Sequence, residues 1–131
     1  MADTFLSKTL VLANTSQTTL YTVPTTDDTA IPPTPSTTAL IKTIRLYNSH
    51  TSNVLVTLTF TDKDSDTGAD TESTLFKMNL PATDATTDSF PIGNPFEVLK
   101  MPLVANEGDA IKITAGTAAK IHVQLSVLEI T

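Results

Sequence analysis

A chain of 131 residues suits one domain with one hydrophobic core, and its 40% apolar content lies in the range of globular proteins. Its net charge of −6 and pI near 4.6 argue against a phosphate-binding surface, and the 8 basic residues form no stripe along the chain. No cysteine is present, which excludes disulfides, thiolate zinc sites and cysteine nucleophiles.

Threonine supplies 26 of the 131 residues. It is β-branched and half polar, so it suits the wet face of a strand. The opening MADTFLSKTLVLANTSQ has no basic segment leading into a sustained apolar run, so a signal peptide is not expected. The longest apolar runs are only a few residues, far short of a membrane span.

In chain order, FLSKTLVL (5–12) and TTLYTV (18–23) read as strands. The stretch PTTDDTAIPPTPSTT (24–38) then interrupts the rhythm with four prolines, Pro24, Pro32, Pro33 and Pro35, around Ile31. It is too long for a hairpin turn and reads as an extended loop or arm. ALIKTIRLYN (39–48) follows, with Leu40, Ile44 and Leu46 in one apolar phase. NSHTSN makes a turn, and the next strand alternates cleanly, Val54, Val56, Leu58 and Phe60 against Leu55, Thr57, Thr59 and Thr61.

An acidic loop at 61–73 joins this strand to TLFKMNL, where Phe76, Met78 and Leu80 are in phase. PATDATTDSFPIGNP (81–95) places Phe90 and Ile92 among turn formers and reads as a surface segment. PFEVLKMPL (95–103) is a further strand, Asn106-Glu107-Gly108-Asp109 a turn, and AIKITA brings in Ile111 and Ile113. The last strand sets Ile121, Val123, Leu125 and Val127 on one side, but Leu128 and Ile130 take the other parity. That slip suggests a β-bulge, or a strand end that passes from one packing surface to another. About eight short strands at roughly ten-residue intervals, with no helical periodicity, predict an all-β antiparallel sandwich or jelly roll in a single domain.

Little in the chain is written as chemistry. Asp62, Asp64 and Asp66 alternate, and Asp70 and Glu72 follow Gly68, a ligand type that suits calcium. Counted from Asp62, an EF-hand needs glycine at the sixth place and glutamate at the twelfth, where Thr67 and Ser73 stand. The flanks are also strands, so an EF-hand is rejected. A looser calcium site on a β-loop competes with a solvated loop whose charges keep strand edges from pairing with other chains.

His50 lies in a turn and His122 alternates with the apolar residues of the last strand, facing solvent or a partner. No Gly-x-Ser-x-Gly elbow marks a nucleophile, so no catalytic residue is assigned and an enzyme is not expected. With no tryptophan and two tyrosines, a sugar-binding platform is weakly supported, and four glycines make no phosphate cradle. No cofactor is expected.

Several of these strands together carry a resemblance. Tyr-x-Val-Pro at 21–24, Ile-x-x-Ile-x-Leu-x-Asn at 41–48 and Val-x-Val-x-Leu at 54–58 stand in order. A late Leu-x-x-x-x-Gly-Asp-x-Ile segment at 103–111 and a Val-x-x-Ser-Val-x-Glu-Ile strand at 123–130 complete the series. The set resembles small virion proteins of tailed bacteriophages, while the proline-rich insertion and the acidic loop depart from the usual pattern. The resemblance implies a non-catalytic β-sandwich component, and within that class a capsid decoration or cement protein on the virion surface, made in the host cytoplasm. It further implies self-association, a homotrimer favoured, and the major capsid protein as partner. Nucleic acid, membrane and small-molecule substrates are not expected partners. The arm residues Pro24, Ile31, Pro32, Pro33 and Pro35 are the candidates for contact with a neighbour. A tail, neck or fibre-associated component, including a receptor-binding one, is the first alternative, and a calcium-dependent binding module is the second.

Overall fold

Nine strands form among the described residues, which in the computed structural model are 3–33, 35–63, 69–82, 96–97 and 102–131. They are β1 (Asp3–Val11), β2 (Thr18–Thr22), β3 (Thr38–Asn48), β4 (Val54–Lys63), β5 (Asp70–Leu80), β6 (Phe96–Glu97), β7 (Leu103–Ala105), β8 (Ala110–Ala115) and β9 (Ile121–Ile130). Their pairing is nested and antiparallel throughout: β4 with β5, β3 with β6 and β7, β2 with β8, and β1 with β9. The chain is therefore one long ribbon folded back on itself, with the acidic stretch at its turn.

Rolling that ribbon places alternate pairs in two sheets. One has the order β1-β9-β3 with β6 and β7 along the far edge of β3, and the other has the order β2-β8-β4-β5. With β6 and β7 as one interrupted strand, this is the jelly-roll form of the β-sandwich. The predicted strand at 95–103 falls partly on 98–101, outside the described residues, and its described ends are β6 and the first residue of β7. Phe90 and Ile92 also lie outside them.

A single aliphatic cluster fills the space between the sheets, contributed by both: Ile41, Ile44 and Leu46 of β3, Val56 and Leu58 of β4, Ile111 and Ile113 of β8, and Val123 and Leu125 of β9. Each such side chain, fully buried, contributes about 1.5–3 kcal/mol against the entropy of ordering the chain.

Two phases in the sequence resolve differently from first sight. Leu40 does not share a face with Ile44 and Leu46. The β3–β9 register shifts between Ile41 and Thr43, so Lys42 is an extra residue and Ile41 points inward together with Ile44. In β9 the register with β1 runs unbroken from Asp3↔Ile130 to Val11↔His122. The slip at Leu128 is thus a change of hydrophobicity along a regular strand, and the outer face becomes apolar at that end. The acidic connection is also shorter than 61–73, because β4 continues to Lys63 and β5 starts at Asp70. Threonine on both flanks favours that extension of the ladder.

Asn48, at the end of β3, is fully buried and joins the two sheets. Its Nδ2 donates to the carbonyls of Ser52 (3.0 Å), Leu80 (3.1 Å) and Pro81 (3.2 Å), and its Oδ1 accepts from the His50 N–H (2.9 Å). One side chain thereby fixes the β3–β4 turn against the end of β5.

Candidate functional site

A polar concavity among the described residues opens at one end of the sandwich. It is a pocket of about 440 Å³ lined by Thr25, Ser36, Thr38, Asp62, Lys63, Asn106, Glu107 and Asp109. Three chain segments meet there: the two ends of the proline-rich strap, the last residues of β4, and the turn between β7 and β8.

That turn is tightly determined. Gly108 sits at φ +81°, a conformation that side-chain-bearing residues rarely adopt, and its N–H donates to the Val23 carbonyl (3.0 Å). A Cβ at this position would stand 2.8 Å from Lys63 Cδ. Gly108→Ala is therefore expected to cost about 1–2 kcal/mol, read as a lower midpoint in thermal or denaturant unfolding. An unchanged midpoint would refute the strain assigned to this turn.

Asp109 is almost fully buried (3% exposed), and both its carboxylate oxygens are used. Oδ1 accepts from the Lys63 N–H (2.9 Å) and Oδ2 from the Asn106 N–H (2.8 Å). Its backbone N–H donates to the Asn106 carbonyl (3.0 Å), and its carbonyl accepts from Val23 (2.9 Å). This carboxylate closes the turn and holds the end of β4; it is a clamp rather than an open ligand.

Glu107 ties the strap down. Its carboxylate accepts from the Thr26 hydroxyl and also bonds the Ser36 side chain, and these bonds hold its pKa below the usual carboxylate range. A carboxylate with a lowered folded-state pKa stabilises above its unfolded pKa, and that contribution is lost as the pH falls through the folded value. Loosening of the strap on acidification below about pH 4 is expected, and Glu107→Gln should remove that part of the pH dependence. Hydrogen exchange of the strap amides at neutral and acid pH measures it; identical pH profiles for wild type and variant would refute the assignment.

The strap itself has no strand between Thr22 and Thr38. Asp27 Oδ1 accepts from the Thr29 N–H (2.9 Å), the Thr29 hydroxyl (2.6 Å) and the Ala30 N–H (3.2 Å), which shapes a turn before Ile31. Thr37 is buried (3% exposed), whereas Ile31 is 99% exposed. The strap is thus body at both ends and free only at its tip, so excision of all of 25–37 would cut into the sandwich. Of the proposed contact residues, Ile31, Pro32, Pro33 and Pro35 are exposed and Pro24 is half-buried.

Of the calcium candidates, Asp62, Asp70 and Glu72 are described, and these three do not share one face of the hairpin. Thr61 faces Glu72 and Asp62 faces Thr71 across the hairpin, so Asp62 lies on one face and Asp70 and Glu72 on the other. Glu72 Oε1 instead accepts from Gln17 Nε2 (3.2 Å). Asp64 and Asp66 lie outside the described residues, and among those described no three metal-ligating side chains cluster.

The two histidines lie in separate places. His50 Nδ1 accepts from the Thr51 N–H (2.8 Å) within its own turn. His122 is exposed on the outer face of the β1-β9-β3 sheet, edge-on to Tyr47 with ring centroids 5.6 Å apart. They share a shallow depression of about 340 Å³ with Thr9, Arg45 and Gln124.

One inter-sheet link was invisible in the sequence: the Tyr21 hydroxyl donates to Glu129 Oε1 at 2.6 Å. Burial, and then the bond and charge of Glu129, raise the tyrosine pKa above its ordinary value. Both residues lie on motifs of the resemblance, Tyr21 opening the first and Glu129 standing one place before the end of the last.

Comparison with family models, with curated proteins and with solved structures finds no match to this chain.

Proposed function

We propose that this chain is a non-catalytic virion structural component of a tailed bacteriophage, in particular a decoration protein that binds the outside of the head and bridges capsid subunits. The observation that supports it most is where the resembling motifs fall. Tyr21 and Glu129 join the sheets, Ile41, Ile44 and Leu46 build the core, Asn48 locks a sheet end, and Gly108 and Asp109 make the clamped turn. The motifs that carry the resemblance are thus the ones that hold this jelly roll together.

Fold alone does not choose among the roles that jelly rolls serve, which include capsid, lectin and cupin domains. The arrangement of polar groups favours the first. The space between the sheets is taken by aliphatic side chains, and the buried carboxylate of the end pocket is spent on backbone N–H groups. What the described surface offers is exposed apolar side chains, Phe5, Ile31 and Val104 foremost, on a strongly acidic chain. Such a surface suits docking on a large assembly, which a decoration protein would stabilise by mass action.

The test is binding of the purified protein to expanded empty heads. Binding with a raised melting temperature of the heads is the expected result, and no binding would reject the decoration role.

A further inference from the structure

Each sheet ends in strands that have a partner on one side only among the described residues. Such edges are templates for pairing with another chain unless something blunts them. Three of the edges here are blunted. β2 is five residues long, and its register with β8 shifts between Thr19 and Tyr21. β5 carries Leu75 as an extra residue against β4 and opens with Asp70 and Glu72. β6 and β7, along the far side of β3, span two and three residues. β1 has none of these devices: it runs nine residues in unbroken register with β9, without proline or glycine.

The direction of its backbone groups follows from the hydrogen bonds at its end. The Leu12 N–H, one place beyond β1, donates to the Ile121 carbonyl (3.0 Å), whereas the preceding Lys120 carbonyl accepts from the Ser49 N–H that follows β3 (2.9 Å). In an antiparallel ladder alternate residues bond the same neighbour, so Thr4, Leu6, Lys8 and Leu10 bond β9. Asp3, Phe5, Ser7, Thr9 and Val11 turn their N–H and C=O groups the other way, to the edge of the sheet. The side chains beside that edge are apolar as well. Of the seven large apolar side chains exposed among the described residues, Phe5, Leu6 and Val11 lie on this one strand. Leu6 pairs with the buried Val127 on the inward face, yet it is 38% exposed because β1 is the rim of the sandwich.

We propose that β1 pairs antiparallel with β1 of a second copy, about a two-fold axis centred on Leu6, so that two β1-β9-β3 sheets become one. A row of backbone donors and acceptors is matched by another extended strand, and under a two-fold axis this edge is its own complement. Centred on Leu6, the pairing sets Phe5 against Ser7 and Asp3 against Thr9, all residues whose backbone groups face the edge. Leu6 meets Leu6 on the inward face, and each Lys8 lies opposite Thr4. Centring on Ser7 instead would put the two Lys8 side chains on neighbouring diagonal positions, which like charges disfavour. With one acid and one base, Asp3 and Lys8, β1 is locally neutral on a chain of net charge −6, so two copies meet there with little repulsion. The contact closes at two copies and predicts a dimer in place of the trimer that the resemblance implies. It goes beyond the decoration role and does not depend on it.

Sedimentation of the wild type is expected to show dimers forming as the concentration rises to about 1 mM; a chain monomeric over that whole range overturns the proposal. Ser7→Pro removes an N–H that faces the edge and spares those that bond β9, so it should remain folded by thermal melting and be monomeric. Dimers that persist in folded Ser7→Pro overturn the proposal. Because the chain has no cysteine, the axis can also be read chemically. Leu6→Cys sets two thiols opposite each other in a non-hydrogen-bonded pair, within reach of a disulfide. With oxidised glutathione as electron acceptor it should become a covalent dimer, whereas Thr9→Cys, opposite Asp3, should stay unlinked. Failure of Leu6→Cys to link, or equal linking of Thr9→Cys, overturns the proposed pairing. None of these readouts involves heads, so they stand or fall apart from the decoration role.

Discussion

Asp109→Ala is expected to lower the thermal midpoint by about 10–15 °C. The carboxylate is buried and accepts two backbone N–H groups, from Lys63 and Asn106. Charge-assisted bonds of this kind are worth about 1.5–3 kcal/mol each, and their loss leaves both donors without a partner at a site that water reaches poorly. The effect should extend beyond the turn, since the bond from Lys63 ties the end of β4 to a residue 46 positions later. Hydrogen exchange should show the β4–β5 tip and the strap opening together in the variant. A midpoint within about 2 °C of wild type would mean that the clamp contributes little.

Asn48→Asp is the second large effect, and its interest lies in how small the chemical change is. The carboxylate matches the amide in shape but has no N–H to donate. The carbonyls of Ser52, Leu80 and Pro81 would each lose their donor, and a charge would be placed where the side chain is fully buried. A loss of at least about 3 kcal/mol is expected, exceeding the about 2–3 kcal/mol of Asn48→Ala, which removes the bonds without adding charge. Equilibrium denaturation of the two variants decides it. If Asn48→Asp were the milder of the two, the assigned donation to three carbonyls would be wrong.

Much of the fold could be read from alternation alone. Apart from the strand predicted at 95–103, which lies partly outside the described residues, each predicted strand coincides with a structural one within a few residues, because a half-buried antiparallel strand must alternate. Threonine is a less faithful mark of the wet side, since Thr59 and Thr61 are buried. The bulge in β3 was written in the sequence too, in the spacing of Ile41 and Ile44, which only an extra residue between them can bring to one face. Reading Leu40 as part of that inward phase missed it. In β9, the departure of Leu128 and Ile130 from the inward parity marked an outer apolar surface, which becomes intelligible once Phe5, Leu40 and Val104 are seen beside it.

The site was far less legible. Glu107 and Thr26 lie 81 positions apart, and Tyr21 and Glu129 lie 108 apart. No local pattern announces such pairs, since only the rolled ribbon brings them together. The acidic hairpin shows the opposite case. Its carboxylates are close in sequence, yet the strand period sends Asp62 to one face and Asp70 and Glu72 to the other. Pairing sets the three described carboxylates on different faces, and distance in sequence concealed the clamp that pairing creates.

The proposed decoration role calls for one arrangement, copies seated beside one another on a large shell. Imaging of particles that carry a tagged chain tests this most directly. The account predicts density repeated over the head surface. Density confined to one vertex or to the tail would contradict it and favour a neck, tail or fibre component.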